Sequence, residues 1–323
     1  MLSRVAERMY WFGRYLERVE NTARLVNVNA NLLLDLPKSV KHIWDSLIHI
    51  TGSGELFFEK HGKVEERNVI RFILADTSNP GSITYSVRMC RENVRTTREI
   101  MPSESWEQIN ELHLFVKQHV NYAQNREGRH EFLDEIINYC HQINGFLNSN
   151  MSHDETFNFI QVGMNLERAD MTSRIVDVGC MDLLGHKETI PDAFDNILWM
   201  NVLRSLSAYQ MYKQHIHDRV NSNDVVSFLI QDEYFPRTVA FALSELNRCI
   251  SILPRNDHAL RQITRMQRIV GELEVEKIIA SGKLHETLDD LQIELGKIHE
   301  LVMHTWFDYL TDSETTQEAQ AQS

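Results

Sequence analysis

The feature that most constrains this chain is an internal repeat. Residues 17–26, ERVENTARLV, return 150 positions later as residues 167–176, ERADMTSRIV, with charged, hydroxyl and apolar positions matched one by one. A second pair of segments, FILAD at 72–76 and FLIQD at 228–232, is each followed by a proline four residues on, at a shift of 156. We therefore predict that one unit was duplicated to make this chain.

The repeated unit has the period of an α-helix. Apolar residues near the start of the chain advance by four and three in turn, which places them on one face of a long helix. These residues are Val5, Met9, Phe12, Leu16, Val19, Ala23, Val26, Ala30 and Leu33. The chain has only 13 Gly and 6 Pro, too few to punctuate a many-stranded fold. The sequence predicts an all-α fold, a bundle of roughly twelve helices built from two duplicated helical halves.

We place the first half at residues 1–150 and the second at 151–310, followed by a polar tail over 311–323 that we predict to be disordered. We expect Glu17 to superpose on Glu167 and Asp76 on Asp232. The predicted helices span residues 2–35, 38–50, 63–76, 80–101, 103–123, 129–150, 155–184, 192–215, 222–231, 236–253, 257–280 and 284–310.

Charge and composition narrow the class of function. The 323 residues carry a formal charge of −13, which argues against a general nucleic-acid or anionic-membrane binder, since both need a basic face. No apolar run approaches the length of a membrane span, and charged residues occupy the place of a signal peptide's apolar region, so we expect a cytoplasmic protein. Four well-separated cysteines without a CxxC pair favour buried free thiols over zinc or disulfides.

The repeated segment carries charge on the side of its helix away from the apolar face. Glu20 with Arg24, and Asp170 with Arg174, are acid-to-base pairs four residues apart. One interpretation is a solvated face with ion pairs. The other is a covered face, because Tyr10 also lies off the apolar side just upstream, as does Trp11. Covered charges would have to be paired, since an unpaired buried charge is costly.

A row of four arginines follows one face of the predicted fourth helix: Arg88, Arg91, Arg95 and Arg98. The second half has no copy of this row. One interpretation is an internal network with Glu17, Glu20, Glu92 and Glu99, in which Glu17 bonds at least one of the four arginines. The other is a binding site for a carboxylate or phosphate group, which the planar guanidinium matches in shape.

The sequence contains no recognisable catalytic motif. It has no GxSxG, no Walker loop, no GxGxxG after a strand and no motif-placed Cys–His pair. His215 and His217 diverge on a helix, and His299 with His304 misses the spacing that places two zinc ligands on one helix face. We predict no metal site and no cofactor.

Several segments together resemble the bacterial alpha-E family, named for a Glu-Arg motif. They are AERMYWFGRYLERVENTAR at 6–24, the step from Asp76 to Asn79-Pro80 with Ser82-Ile83, RENVR at 91–95 and SWE at 105–107. The likeness runs to about Tyr309, and Gly81 departs from it where a Ser is common. The resemblance implies an all-helical protein encoded beside, or fused to, a circularly permuted ATP-grasp protein and a transglutaminase-like peptidase, sometimes near the proteasome-like peptidase Anbu. It also implies a role in peptide synthesis, ligation or tagging, with no activity assigned to the helical protein.

These observations give three hypotheses. The first is a non-catalytic accessory or scaffold protein that binds a peptide, carboxylate or phosphate group for those two partners. The second is an enzyme of acyl or amide chemistry, with Glu17 as base and arginines as oxyanion stabilisers. The third is a structural, oligomerising bundle. None of the three involves nucleic acid or a membrane. The candidate residues are Glu17, Arg18, Glu20, Arg24, Arg88, Arg91, Arg95, Arg98, Glu167, Arg168 and Arg174.

Overall fold

The fold comes from a computed structural model, which describes residues 3–35, 43–184 and 192–307. Within these ranges the chain forms fifteen α-helices and no strand, so the predicted all-α class is confirmed. The helices are α1 Ser3–Asp35, α2 Ile43–Ile50, α3 Gly54–Lys60, α4 Glu66–Leu74, α5 Ile83–Arg95, α6 Ser103–His119, α7 Arg126–Asn150, α8 Glu155–Leu184, α9 Asp192–Ser205, α10 Tyr209–His215, α11 Ser222–Gln231, α12 Val239–Ile252, α13 Asp257–Gly271, α14 Val275–Ala280 and α15 Leu284–Val302. Short 3₁₀ turns lie at Arg98–Ile100 and Tyr122–Gln124, and a π turn at Met303–Phe307 follows α15.

The described residues contain three more helices than the twelve predicted. Helix α3 was missed, and two predicted helices are each divided, at 206–208 and at 272–274. Two helix ends have a local cause in the backbone. Gly52 (φ +64°) follows the end of α2, and Ser207 (φ +53°) separates α9 from α10. A residue in this left-handed region cannot continue a right-handed helix.

Helices α1 and α8 form the centre of the molecule and run parallel, since residues about 150 apart meet along their length. Helix α1 packs on α5 and α7, and α8 packs on α12 and α15. Helix α12 corresponds to α5, and α15 to α7, in their order along each half. The apolar face predicted for α1 is buried, with Met9, Phe12 and Leu16 among its fully buried side chains. This matched packing supports the predicted duplication, while superposition of the halves and the boundary at residue 150 stay predictions.

The structure also bears on the predictions for the cysteines and for membrane-spanning helices. The four cysteines are buried and form no disulfide bond, as expected. The tail at 311–323 lies outside the described residues. Among the helices that are described, none has the length and apolar character needed to cross a bilayer.

Candidate functional site

The two Glu-Arg pairs of the repeat bond each other across the parallel helices α1 and α8. Arg168 donates to Glu17 through Nε (3.0 Å) and Nη2 (2.7 Å). In the other direction, Arg18 donates to Glu167 through Nε (2.6 Å) and Nη2 (3.0 Å). Both carboxylates are buried. Each glutamate is therefore neutralised by the arginine that follows its counterpart in the repeat, in the bidentate geometry that guanidinium and carboxylate favour.

A close approach of the two helix backbones lies one turn before these pairs. A Cβ atom added to Gly13 would lie 2.2 Å from the carbonyl oxygen of Ile160, and one added to Gly163 would lie 2.1 Å from that of Tyr10. Both distances are far below van der Waals contact, so these positions accept only glycine without displacing a helix. The glycine pair brings α1 and α8 close enough for their charged side chains to reach across.

The Glu17 side of the crossing is closed by Arg237, from the turn before α12. Its Nη1 donates to Glu17 Oε1 (3.1 Å) and to Asn21 Oδ1 (2.6 Å), and its Nη2 pairs with Glu20. Arg24 Nη2 also donates to Glu20 (2.6 Å). We call this group the Arg237 cluster; its members are Glu17, Glu20, Asn21, Arg24, Arg168 and Arg237.

Protein atoms border the Arg237 cluster, and among its side-chain atoms only Arg24 Nε is buried without a partner in the described residues. Arg24 Nη1 donates to Ser207 Oγ (2.5 Å), and His141 Nε2 lies 3.1 Å from Glu20 Oε1. Burial raises the pKa of Glu20, but the attraction of Arg237 and the hydrogen bond from His141 outweigh burial and hold that pKa well below its usual range. This side of the crossing is a closed ion-pair network.

The Glu167 side opens into a cleft of about 1030 Å³, which we call the Arg174 cleft. Arg14, Arg18, Thr22, Glu167, Asp170 and Arg174 form its charged wall. The loop at 49–54, the start of α3 and Pro80-Gly81 form the facing wall. Glu167 accepts a further bond from Arg14 Nε (2.6 Å) here, and Arg174 Nε bonds both oxygens of Asp170 (3.1 Å each).

Several donors on the charged wall have no partner within the described part of the chain. Arg14 uses Nε and Nη1, and Arg18 uses Nε and Nη2, so each keeps one terminal nitrogen without a hydrogen bond to protein. Arg174 uses Nε alone, which leaves both of its terminal nitrogens. The Thr22 hydroxyl is buried and also lacks a partner. Of these donors only the Thr22 hydroxyl is buried, and the arginine nitrogens reach solvent. Buried donors are normally satisfied, so the Thr22 hydroxyl and the neighbouring nitrogens have capacity for an acceptor from outside the described structure.

The turns that border the two sites are alike, which allows a direct comparison. Ser82 Oγ donates to the Asp76 carbonyl (2.6 Å) and accepts from the backbone N–H of Tyr85. Thr238 Oγ1 donates to the Asp232 carbonyl (2.5 Å) and accepts from the N–H three residues on, at the predicted shift of 156. Gly81 and Arg237 therefore occupy matching positions. The cleft is open where the closed site has an arginine side chain.

The protonation states along the cleft follow from burial and charge. Burial raises the pKa of Glu167, but Arg18 and Arg14 outweigh burial and lower it to about 2. Behind Arg14, the Tyr10 hydroxyl accepts from Arg14 Nη1 (3.0 Å) and lies 2.7 Å from His299 Nδ1. Burial and the charge of Arg14 lower the pKa of His299 to about 4. At neutral pH Glu167 is ionised and His299 is neutral.

The arginine row does not meet Glu17, so that prediction is wrong. Arg88, Arg91 and Arg95 lie on α5, and Arg98 lies beyond its end in the 3₁₀ turn. Arg91 Nη1 (3.0 Å) and Arg95 Nε (2.9 Å) both bond Glu92. The other two stack on aromatic rings, Arg88 over Tyr85 and Arg98 over Trp106. Of the predicted network only Glu92 takes part among the described residues, and Glu17, Glu20 and Glu99 do not. The apolar stripe of α5 faces α1, which leaves the arginine row toward the outside.

The hypothesis of a solvated face is also wrong, because Glu17, Glu20 and Asn21 are buried and Tyr10 is fully covered. The predicted pairs Glu20–Arg24 and Asp170–Arg174 are present. Sequence reasoning missed Arg14, Thr22 and Arg237. One signal was available: Gly13 and Gly163 share the repeat's spacing of 150, and two glycines at matching places on two long helices indicate a close crossing.

The described residues contain no cluster of His, Cys, Asp or Glu side chains that could hold a metal ion. His215 and His217 are exposed at the end of α10. What the geometry offers chemically is hydrogen-bond donation from several guanidiniums and one hydroxyl into a cleft. Such an arrangement recognises an anionic oxygen group.

An all-helical fold centred on exchanged Glu-Arg pairs agrees with comparison to known families. The model of the Alpha-E family, described as a predicted alpha-helical domain with a conserved ER motif, matches residues 1–307, so this chain belongs to the Alpha-E family. The uncharacterized protein Rv2567 of Mycobacterium tuberculosis H37Rv and the uncharacterized protein Mb2597 of Mycobacterium bovis are each 21% identical to it over 94% of the chain. The chain spans only 36% of the length of these curated relatives. No solved structure matches it.

Proposed function

We propose that this chain is a non-catalytic accessory protein that holds an anionic group of a peptide for partner enzymes. Those partners would be a circularly permuted ATP-grasp protein and a transglutaminase-like peptidase in a peptide synthesis or modification system. Membership of the Alpha-E family supports the context. The single observation that carries the binding role is the set of unpartnered donors on the wall of the Arg174 cleft.

The cleft is a better anion site than the arginine row of α5. The arginines of this row share Glu92 or lie on aromatic rings, and Arg88, Arg95 and Arg98, the last beyond the end of α5, are exposed to solvent. In the cleft, the side chains of Arg14 and Arg18 are 11% and 19% exposed. Charges that are partly withdrawn from water are less screened, so an anion gains more from them.

The same geometry disfavours catalysis by the Glu-Arg motif. Glu17 is 0% exposed and is held by Arg168 and Arg237, so no substrate reaches it as a base. Glu167 borders the cleft, but its lowered pKa makes it a weak proton acceptor. Burial also raises the pKa of Cys90 and Cys140, which suppresses the thiolate that a nucleophile needs. The alternative enzyme built on Glu17, Arg18 and the α5 arginines would need groups that the fold keeps apart.

The test is an ATP-dependent ligation assay with the purified chain, the neighbouring ATP-grasp protein and peptide substrates. We expect no turnover from the chain alone, and faster turnover of the ATP-grasp protein when the chain is added. Arg174→Ala should abolish that stimulation, whereas Arg67→Ala, a change at an exposed arginine of α4, should leave it unchanged.

Two results would overturn the proposal. If the chain alone turns over substrate, and Glu17→Gln removes that turnover without changing the fold, the protein is an enzyme. If the chain leaves the rate of the ATP-grasp protein unchanged at every concentration, it is not an accessory protein of that system.

A further inference from the structure

We infer that the Arg174 cleft binds the C-terminal carboxylate of a peptide whose last residue is apolar. This inference rests on the proposed binding role and adds the chemical class of the ligand. It follows from three properties of the cleft: donors that lack acceptors, a charge balance suited to a single negative charge, and an apolar rim.

The donors are the terminal nitrogens of Arg14, Arg18 and Arg174, with the hydroxyl of Thr22 between them along the wall. The closed side shows what such donors do when protein atoms are in reach. There Thr172 Oγ1 donates to the Arg237 carbonyl (3.0 Å), and the terminal nitrogens of Arg24 donate to Ser207 and Glu20. The matching donors of the cleft lack such acceptors among the described residues.

The charge balance favours a monoanion. Three guanidiniums line the charged wall together with the carboxylates of Glu167 and Asp170, and Glu55 lies on the facing side. Three positive and two negative groups leave the charged wall with one net positive charge, which a single carboxylate neutralises. A phosphate dianion would place twice that charge beside three acidic residues, and repulsion between like charges would offset part of its attraction to the arginines.

The rim next to these charges is apolar. Ile50, Leu56, Phe58 and Met171 line the cleft, and Phe58 is 48% exposed although large and hydrophobic. A cleft of about 1030 Å³ is far larger than a lone carboxylate needs and is of the size that holds a small ligand. A peptide end with an apolar last side chain meets both parts: its carboxylate reaches the donors and its side chain covers the rim.

The experiment is isothermal titration calorimetry of the full chain with four probes. They are a short acetylated peptide ending in leucine with a free carboxylate, the same peptide as its C-terminal amide, a version ending in glycine, and inorganic phosphate. We expect the leucine carboxylate to bind best. The amide should bind about tenfold weaker or more, because charge-assisted hydrogen bonds are lost. The glycine peptide should bind roughly tenfold weaker, because less apolar area is buried.

Three variants locate the site. Arg174→Ala should weaken the leucine carboxylate about tenfold or more, and Arg174→Lys should recover part of the affinity, since it keeps the charge but not the planar fork. Phe58→Ala should reduce the preference for leucine over glycine. Arg67→Ala is the matched control and should bind like wild type. Denaturant unfolding of each variant separates lost binding from lost folding.

The outcomes distinguish failure of this inference from failure of the proposed function. Equal affinity for the carboxylate and the amide, or Arg174-dependent binding of phosphate that is tighter than that of the peptide, overturns the carboxylate inference and leaves an anion-holding role in place. If no probe binds, or if binding is unchanged in Arg174→Ala, the cleft is not the site and both proposals fail.

Discussion

The Arg237 cluster and the Arg174 cleft are two versions of one arrangement with different outcomes. In both, a buried glutamate of one long helix is neutralised by the arginine of the other, Glu17 by Arg168 and Glu167 by Arg18. In the first version Arg237 enters from the following turn and closes the site. In the second the matching residue is Gly81, and a cleft remains. The exchanged pairs belong to the fold, and the cleft remains on the side where the turn has a glycine in place of the arginine.

This difference has an energetic consequence. An unsatisfied buried donor costs roughly 1–3 kcal/mol, whereas a satisfied one contributes modestly to stability. In the cleft the Thr22 hydroxyl is such a donor, whereas the unpartnered arginine nitrogens reach solvent; in the Arg237 cluster Arg24 Nε is another. A ligand that supplies an acceptor to Thr22 would recover that free energy on binding, as expected of a region kept for binding rather than for structure.

The largest expected effect is the loss of Glu17. Glu17→Ala leaves Arg168 buried without a carboxylate and leaves Arg237 with Glu20 alone, which costs about 3–5 kcal/mol in comparable cases. Glu167→Ala should cost less, because the freed guanidiniums of Arg14 and Arg18 reach water in the cleft. The free energy of unfolding in denaturant measures both. Glu131→Ala, at an exposed position of α7, should stay within about 0.5 kcal/mol of wild type. Equal losses at Glu17 and Glu167 would mean that the cleft is as closed as the cluster.

Much of the fold follows from the sequence because it depends on local and periodic information. The apolar face of α1 and the near absence of glycine and proline indicate long packed helices without knowledge of their partners. The extra helix breaks are harder to foresee. Ser207 adopts a left-handed conformation, and a serine carries no sequence signal for it comparable to that of glycine.

The site was only partly predictable, because ion pairs between distant segments depend on how the helices pack, which neither segment's sequence determines. That Glu17 is buried and paired follows from the aromatic residues beside it, but the sequence does not tell which arginine reaches it. We predicted a partner for Glu17 in the arginine row because four arginines follow one another on one predicted helix face. In the structure that face points away from α1. The correct partner, Arg168, lies in the repeat itself. Arg237 becomes recognisable only when the two turns are compared in three dimensions.

The second prediction tests the glycine crossing on which both versions depend. In Gly13→Ala the new methyl group meets a backbone oxygen of α8, which cannot move aside as a side chain would. We expect a loss of about 1–3 kcal/mol from overpacking, with weakened ion pairs on both sides. Gly145→Ala is the matched control: it is an exposed helical glycine with nothing within 4 Å of the added methyl, so this change should stabilise by about 0.5–1 kcal/mol. A neutral Gly13→Ala would show that the helices are further apart than described.

The third prediction concerns pH on the open side. The folded-state pKa of His299 is about 4 against an ordinary value of 6.5, so the unfolded chain binds more protons between these values. Stability is therefore present above pH 6.5 and falls as pH drops toward 4. The ring keeps some contact with solvent, so we expect about 1–2 kcal/mol rather than the full difference. His299→Gln should flatten the unfolding free energy across this window, and His215→Gln, at an exposed histidine, should not. A slope unchanged in His299→Gln would assign the effect to other groups.

The smallest expected effect compares two threonines at matching positions of the repeat. Thr172→Val removes a hydrogen bond to the Arg237 carbonyl and leaves that carbonyl without its side-chain donor, which should cost about 1 kcal/mol. Thr22→Val removes a buried hydroxyl that has no partner within the described residues, so this change should be neutral or slightly stabilising in the free protein. The same Thr22→Val change should weaken binding of the leucine carboxylate peptide, whereas Thr172→Val should not. Unfolding in denaturant and calorimetric titration measure the two effects separately. If Thr22→Val destabilises as much as Thr172→Val and leaves binding unchanged, the hydroxyl has an internal partner and the contrast between the open and closed sites is wrong at this position.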